Sequence, residues 1–210
     1  MKLITLGDSI TRGTFTNFGE KAPMSVANPN YSERLKEKLH ADELLCLGVN
    51  GVSVSSTSTV NSESALCRLC EEGKDADVFV IAGGTNDFGT SVELGTDADE
   101  GDISFCGALD ILYTKVQKLN PKAKVFVVLP LRRRNEGVAN EKGYTLDDYR
   151  AAIERKVKKY PFTLIDGRKL AFDPEKEEDR NQYILDGLHP NNEGHKLYAE
   201  LLYEEISKNL

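Results

Sequence analysis

Residues 77–87 read Asp77-Val78-Phe79-Val80-Ile81-Ala82-Gly83-Gly84-Thr85-Asn86-Asp87. The run from 77 to 82 is apolar almost without alternation, which predicts a strand covered on both faces, as in a parallel sheet. Gly83 and Gly84 then stop it. Working outward, the same pattern recurs at 2–6 (KLITL), 43–47 (ELLCL), 124–129 (KVFVVL) and 162–166 (FTLID). Helical spacing lies between these runs. Asn28-Pro29 predicts a helix start, with Tyr31, Leu35 and Leu39 on one face as far as His40. A second helix is expected over 61–72. A third carries Leu109, Leu112, Val116 and Leu119 and closes at Pro121. Thr145 with Asp148 resembles a capping box opening a helix over 146–158. The last helix, about 193–208, is expected to bury Leu197 and Leu201, with Tyr198 and Leu202 as further candidates. The stretches 11–27, 89–102 and 131–144, and the polar segment leading to Tyr183, read as irregular.

This alternation predicts an α/β fold, a mostly parallel sheet of about five strands with helices on both faces. One domain over residues 1–210 is the expectation for this length. In such a sheet ligands bind beyond the carboxyl ends of the strands. Three of those ends carry small polar clusters: Gly7-Asp8-Ser9, Gly48 to Val54, and Gly83 to Asp87.

Composition narrows the function. The 40% hydrophobic content suits a globular core, and the formal net charge of -7 disfavours nucleic acid and anionic membrane surfaces as partners. No apolar stretch approaches the roughly 20 residues of a membrane-spanning helix. The short apolar run after Lys2 does not read as a signal peptide, so a cytoplasmic location is expected. Among Cys46, Cys67, Cys70 and Cys106, the pair Cys67/Cys70 has C-x-x-C spacing. It falls inside an expected helix, which favours core cysteines over a redox or zinc motif.

Of the three histidines, His40 is expected to be solvated. His195, in the first turns of the last helix, is expected to be structural, because a charged imidazole is disfavoured there. His189 lies in Asp186-Gly187-Leu188-His189-Pro190. An aspartate three residues back can accept its ring N–H and leave the other nitrogen free as a base. Ser9, directly after the first strand, projects into the same crevice as a candidate nucleophile. Asn86 offers a side-chain N–H to a developing oxyanion.

The chain resembles the GDSL or SGNH hydrolases. Gly7-Asp8-Ser9-Ile10-Thr11, Gly84-Thr85-Asn86-Asp87 and Asp186-Gly187-Leu188-His189-Pro190 match the first, third and fifth family blocks, in order and spacing. The resemblance implies a flavodoxin-like three-layer α/β/α sandwich, the SGNH hydrolase fold. It implies a serine esterase or acylhydrolase with Ser9, Asp186 and His189 catalytic, acting on small-molecule esters without a cofactor or metal. Family substrates include acylated sugars, lysophospholipids, aryl esters and thioesters. In the second block, the glycine whose N–H completes the oxyanion hole is replaced by Val54, with Gly51 as the fallback. The oxyanion hole is therefore expected from Ser9, Val54 and Asn86. Asn140-Glu141-Lys142-Gly143 and Asn191-Asn192-Glu193-Gly194-His195 look like small bacterial members with acyl-sugar or general esterase activity.

The loops 88–106 and 131–144 are expected to rim the pocket. Arg132, Arg133 and Arg134 are either a rim for an anionic substrate group or a solvated basic run. Two other readings stay open. A metal-dependent hydrolase would use Asp186, His189 and His195 with Asp8 or Asp87, and a non-catalytic binding module would use the same sheet. A nucleotide-binding reading lacks its glycine-rich loop after the first strand.

Overall fold

The computed structural model describes residues 1–16, 24–58 and 60–210. In chain order its elements are β1 (Lys2–Gly7), α1 (Ser9–Arg12), β2 (Thr14–Thr16), β3 (Met24–Val26), α2 (Tyr31–Lys38), β4 (Glu43–Gly48), α3 (Leu66–Leu69), β5 (Val78–Ala82), α4 (Thr85–Gly89), α5 (Phe105–Leu119), β6 (Lys124–Val128), α6 (Leu146–Val157), β7 (Thr163–Ile165), α7 (Glu177–Tyr183) and α8 (Asn192–Ser207). The five expected strands form one sheet in the order β4-β1-β5-β6-β7. Every neighbouring pair in it is parallel. The chain leaves β1 for β4 on one side, then crosses to β5 on the other. That reversal is the topological switch point of a flavodoxin-like sheet, where ligand crevices form.

The strands are apolar on both faces because both faces are covered. Ile4, Leu6, Phe79, Ile81, Val125 and Val127 pack with α3, α5 and α6. Leu3, Val78, Val80, Phe126 and Val128 pack with α2 and α8. The result is the three-layer α/β/α sandwich. No helix among the described residues is long and apolar enough to cross a membrane.

Several elements differ from the sequence pattern for local reasons. Helix α2 begins after Pro29, not at it. Asn30 caps it by accepting from the N–H groups of Ser32 (2.9 Å) and Glu33 (3.1 Å), and Glu33 reaches back to the Asn30 N–H. The expected helix over 61–72 is broken at Ala65, which is extended. Its continuation docks instead on the loop after β4, with the Leu66 N–H donating to the Ser53 carbonyl at 2.8 Å. In α8 the deeply buried side chains are Tyr198, Leu202 and Ile206, while Leu197 and Leu201 are only partly covered. The segment 11–27 holds part of α1 and the β2–β3 pair rather than irregular chain alone, and residues 17–23 of it lie outside the described residues. The capping box at Thr145 and Asp148 forms, with the Asp148 carboxylate 2.7 Å from the Thr145 N–H. Cys67 and Cys70 are core residues, and burial pushes their thiols up to about 11 and about 12.

Candidate active site

Strand β1 ends in a turn that delivers Ser9 to the crevice. Asp8 caps α1 by accepting the Ile10 N–H at 2.9 Å, which sets Ser9 as the first helical residue. Gly7 is required by close approach, since a Cβ there would lie 2.1 Å from Thr11 Oγ1 and 2.4 Å from the Ala82 carbonyl. Ser9 is 6% exposed. Its Oγ lies 2.9 Å from His189 Nε2. His189 Nδ1 lies 2.7 Å from Asp186 Oδ2. The other carboxylate oxygen of Asp186 accepts the N–H groups of Leu188 (2.8 Å) and His189 (2.7 Å), folding the turn back on itself. Gly187 permits that turn, with φ at +76°. Burial raises the Asp186 carboxyl, but the His189 ring bond and the two N–H bonds outweigh it, so the group is held below its ordinary range. Two distant stretches thus join a hydroxyl, an imidazole and an ionised carboxylate in one chain of hydrogen bonds.

The third stretch of the crevice follows β5. Gly84, at φ +111°, turns the chain into the short helix α4, which carries Asn86 and Asp87. Asn86 Nδ2 donates to the Val52 carbonyl at 2.8 Å, leaving its second amide hydrogen for another acceptor. Asp87 is fully buried, and its two oxygens accept the N–H groups of Val54 (2.9 Å) and Ser55 (3.0 Å). This corrects the expectation for Val54. A buried carboxylate needs donors, and it takes the very N–H expected to face an oxyanion. The fallback, Gly51, sits in a left-handed turn at φ +71°. The backbone donor left beside the Ser9 hydroxyl is the Ser9 N–H, a first-turn group without an intrahelical acceptor. Burial pushes both Asp8 and Asp87 up to about 6, against the pull of their backbone donors.

The metal reading does not assemble. His195 is fully buried, with Nδ1 accepting the Tyr31 N–H at 3.2 Å and its ring stacked on Tyr31. Asp87 is occupied by backbone amides, and Asp186 by His189. Among the described residues no group of three or more His, Cys, Asp or Glu side chains is placed to hold a metal ion. His195 instead ties α8 to α2, as a structural residue should, and His40 is exposed. Burial, with Arg34 and His189 adding to it, pushes the His195 imidazole down to about 3. The unfolded chain therefore takes up the proton first. The stability due to the neutral ring is full above about pH 6.5 and is lost as pH falls toward 3. The stability difference between the wild type and His195→Gln is expected to narrow by up to about 1.4 kcal/mol per pH unit below pH 6.5. Urea unfolding at pH 7.5 and pH 5 checks this, and a difference independent of pH contradicts it.

The three arginines separate. Arg132 pairs with Glu136 (3.5 Å) and Asp173 (3.3 Å). Arg134 is exposed, and its backbone N–H donates to the Gly187 carbonyl at 2.8 Å, bracing the Asp186–His189 turn. Arg133 turns inward to Thr85, with Nη1 3.1 Å from both its carbonyl and Oγ1. Sequence reasoning missed Asp8 as a cap and Asp87 as a clamp on the loop after β4. The Asp directly before a helical Ser was a readable capping signal; nothing in the sequence marked Asp87 for Val54 and Ser55, 33 and 32 residues away.

Comparison with known proteins bears on the family and the fold. The model of the GDSL-like Lipase/Acylhydrolase family matches residues 5–197. No curated protein matches the chain by sequence. Among solved structures, a protein from Lactobacillus plantarum is 25% identical, with a TM-score of 0.84 over 100% of this chain and 97% of that one. A possible lipase from Chitinophaga pinensis is 19% identical, with a TM-score of 0.71 over 99% of this chain and 98% of its own. The native M. smegmatis aryl esterase is 21% identical, with a TM-score of 0.69 over 100% and 99% of the two chains. At the two lower identities the likeness establishes the fold.

Proposed function

This chain belongs to the GDSL-like lipase/acylhydrolase family and is a carboxylic ester hydrolase, and from that premise we propose that it is a serine esterase acting on small, short-acyl esters, acetylated carbohydrates among them. Residues 1–210 form one catalytic domain in this reading, supported by a family match spanning 5–197. The observation that carries it is the Ser9–His189–Asp186 chain, at 2.9 Å and 2.7 Å.

His189 Nε2 takes the proton from Ser9 Oγ as that oxygen attacks the ester carbonyl. The carbonyl π pair moves onto oxygen, which the Ser9 N–H and the free amide hydrogen of Asn86 stabilise. His189 then protonates the departing alcohol, leaving an acyl-serine. Water repeats the sequence, losing its proton to His189, and Ser9 recovers a proton as the acid leaves. Asp186 stays ionised throughout and holds Nδ1–H, so that Nε2 is the basic nitrogen.

Asn86→Ala is expected to lower turnover by about 10²–10³-fold, the usual cost of one oxyanion donor. Steady-state kinetics check it, and a loss below about threefold places the donor elsewhere. The substrate reading is tested with a panel of esters varied in acyl length and alcohol, acetylated sugars included. Highest kcat/KM for acetyl or similarly short esters is expected. A preference for long-chain acyl groups overturns the short-acyl reading.

A further inference from the structure

Arg133 is placed unlike its two neighbours. Its guanidinium is half-buried, donates through Nη1 to Thr85, and lies 5.4 Å from the centre of the Phe88 ring. These acceptors are neutral. Among the described residues no carboxylate stands within ion-pair distance of it, whereas Arg132, Arg150 and Arg168 each have at least two. Its buried Nε has no hydrogen-bond partner among the described residues. The negative groups whose field acts on it are, in order of effect, Asp8 and Asp186 of the site itself and then Glu136.

A half-buried cation with no ion pair among the described residues carries a desolvation cost that the more distant carboxylates only partly offset. The position is nevertheless rigidly built. Arg150, 1% exposed, holds the loop from beneath by donating to the carbonyls of Pro130 (3.0 Å) and Leu131 (2.7 Å). Glu136 accepts both an Arg150 Nη2 hydrogen at 2.8 Å and the Arg133 backbone N–H at 3.1 Å. The guanidinium is thereby fixed beside the helix that bears Asn86 and within the field of the carboxylate that orients His189. The chain as a whole carries a net charge of -7 and repels anions. A single fixed fork at the crevice is what would admit one.

We infer that Arg133 recognises an anionic group, a carboxylate or phosphate, carried by the ester substrate near its scissile carbonyl. The inference rests on the serine-esterase reading of the site, since Arg133 is placed relative to Asn86 and Asp186. Arginine suits this task because its planar fork pairs bidentately with either oxyanion. The group sits on the acyl side or on the alcohol side of the ester.

The test uses two arms of matched esters. In one, the 4-nitrophenyl ester of a half-ionised diacid such as succinate is compared with its neutral methyl-capped counterpart. In the other, acetate esters of a phenol bearing a phosphate or carboxylate are compared with the neutral phenyl acetate. The wild type is expected to prefer the anionic ester by about tenfold or more in kcat/KM in at least one arm. Arg133→Met should collapse that ratio by a similar factor, and Arg133→Lys should restore part of it. No preference in either arm of the wild type overturns the inference, whether or not the variants fold. So does an equal loss on charged and neutral esters in Arg133→Met, which would mark Arg133 as a support for the Thr85 turn only. If Ser9→Ala hydrolyses both esters as the wild type does, the serine reading has failed, and that result is distinct from either.

Discussion

Ser9→Ala is expected to lower kcat by at least about 10⁴-fold on any ester the protein hydrolyses, while its unfolding midpoint stays near that of the wild type. The magnitude follows from what the alanine removes. Without Oγ there is no acyl-enzyme, and His189 is left with nothing to activate but water in a position built for a hydroxyl. Residual catalysis from oxyanion donors and substrate positioning survives, which is why the loss has a floor. Stability is spared because, among the described residues, Ser9 Oγ is hydrogen-bonded to His189 alone. The fold around it is held by Asp8, whose carboxylate caps α1, and by Thr11 with the Tyr31 hydroxyl at 2.8 Å. Kinetics with purified protein, alongside thermal unfolding, check both halves. A loss of less than about tenfold contradicts the assignment.

Asp186→Asn is expected to lower kcat by about 10³–10⁴-fold with a much smaller change in KM. The substitution keeps the shape of the side chain. Its carbonyl oxygen can still accept from the Leu188 and His189 N–H groups, as Asp186 Oδ1 does. Its amide nitrogen, however, stands where Oδ2 accepted the His189 Nδ1 proton at 2.7 Å. Two donors cannot share that line, so the imidazole adopts the other tautomer and puts its proton on Nε2. A protonated Nε2 cannot take the proton of Ser9. The defect is therefore in proton transfer rather than substrate binding, and it also strips the charge that stabilises the imidazolium. Equal fractional losses in kcat and kcat/KM are the signature. A variant with near-normal kcat contradicts the role given to Asp186.

The parts of the molecule legible in the sequence are those whose signal repeats along the chain. The five strands announced themselves because a parallel sheet between two helical layers makes every strand apolar on both faces, as in Val78–Ala82. The helices α5 and α6 carried enough turns for a periodic stripe and had readable ends at Pro121 and Thr145. By contrast α7, Glu177–Tyr183, buries no residue and so leaves no stripe to read. The four residues of α1 are too few for any period. The same division holds at the site. Ser9 and Asn86 stood out as polar residues just past strand ends, and Asp186 and His189 by their three-residue spacing, together with the family blocks. The use of the Val54 N–H by Asp87 was not, because it depends on which buried acceptor lies nearest in space. Nor did the run Arg132-Arg133-Arg134 reveal that one arginine pairs with acidic side chains, one braces the histidine turn and one faces Thr85 without an anion.

An activated Ser9 is expected to react covalently with a fluorophosphonate, in a titration read by intact mass and peptide mapping. One equivalent of phosphonyl group is expected, on the peptide containing Ser9, with loss of hydrolysis in step with labelling and no labelling in Ser9→Ala. Full hydrolytic activity in protein that carries no label at Ser9, or stoichiometric label at another residue, would contradict it.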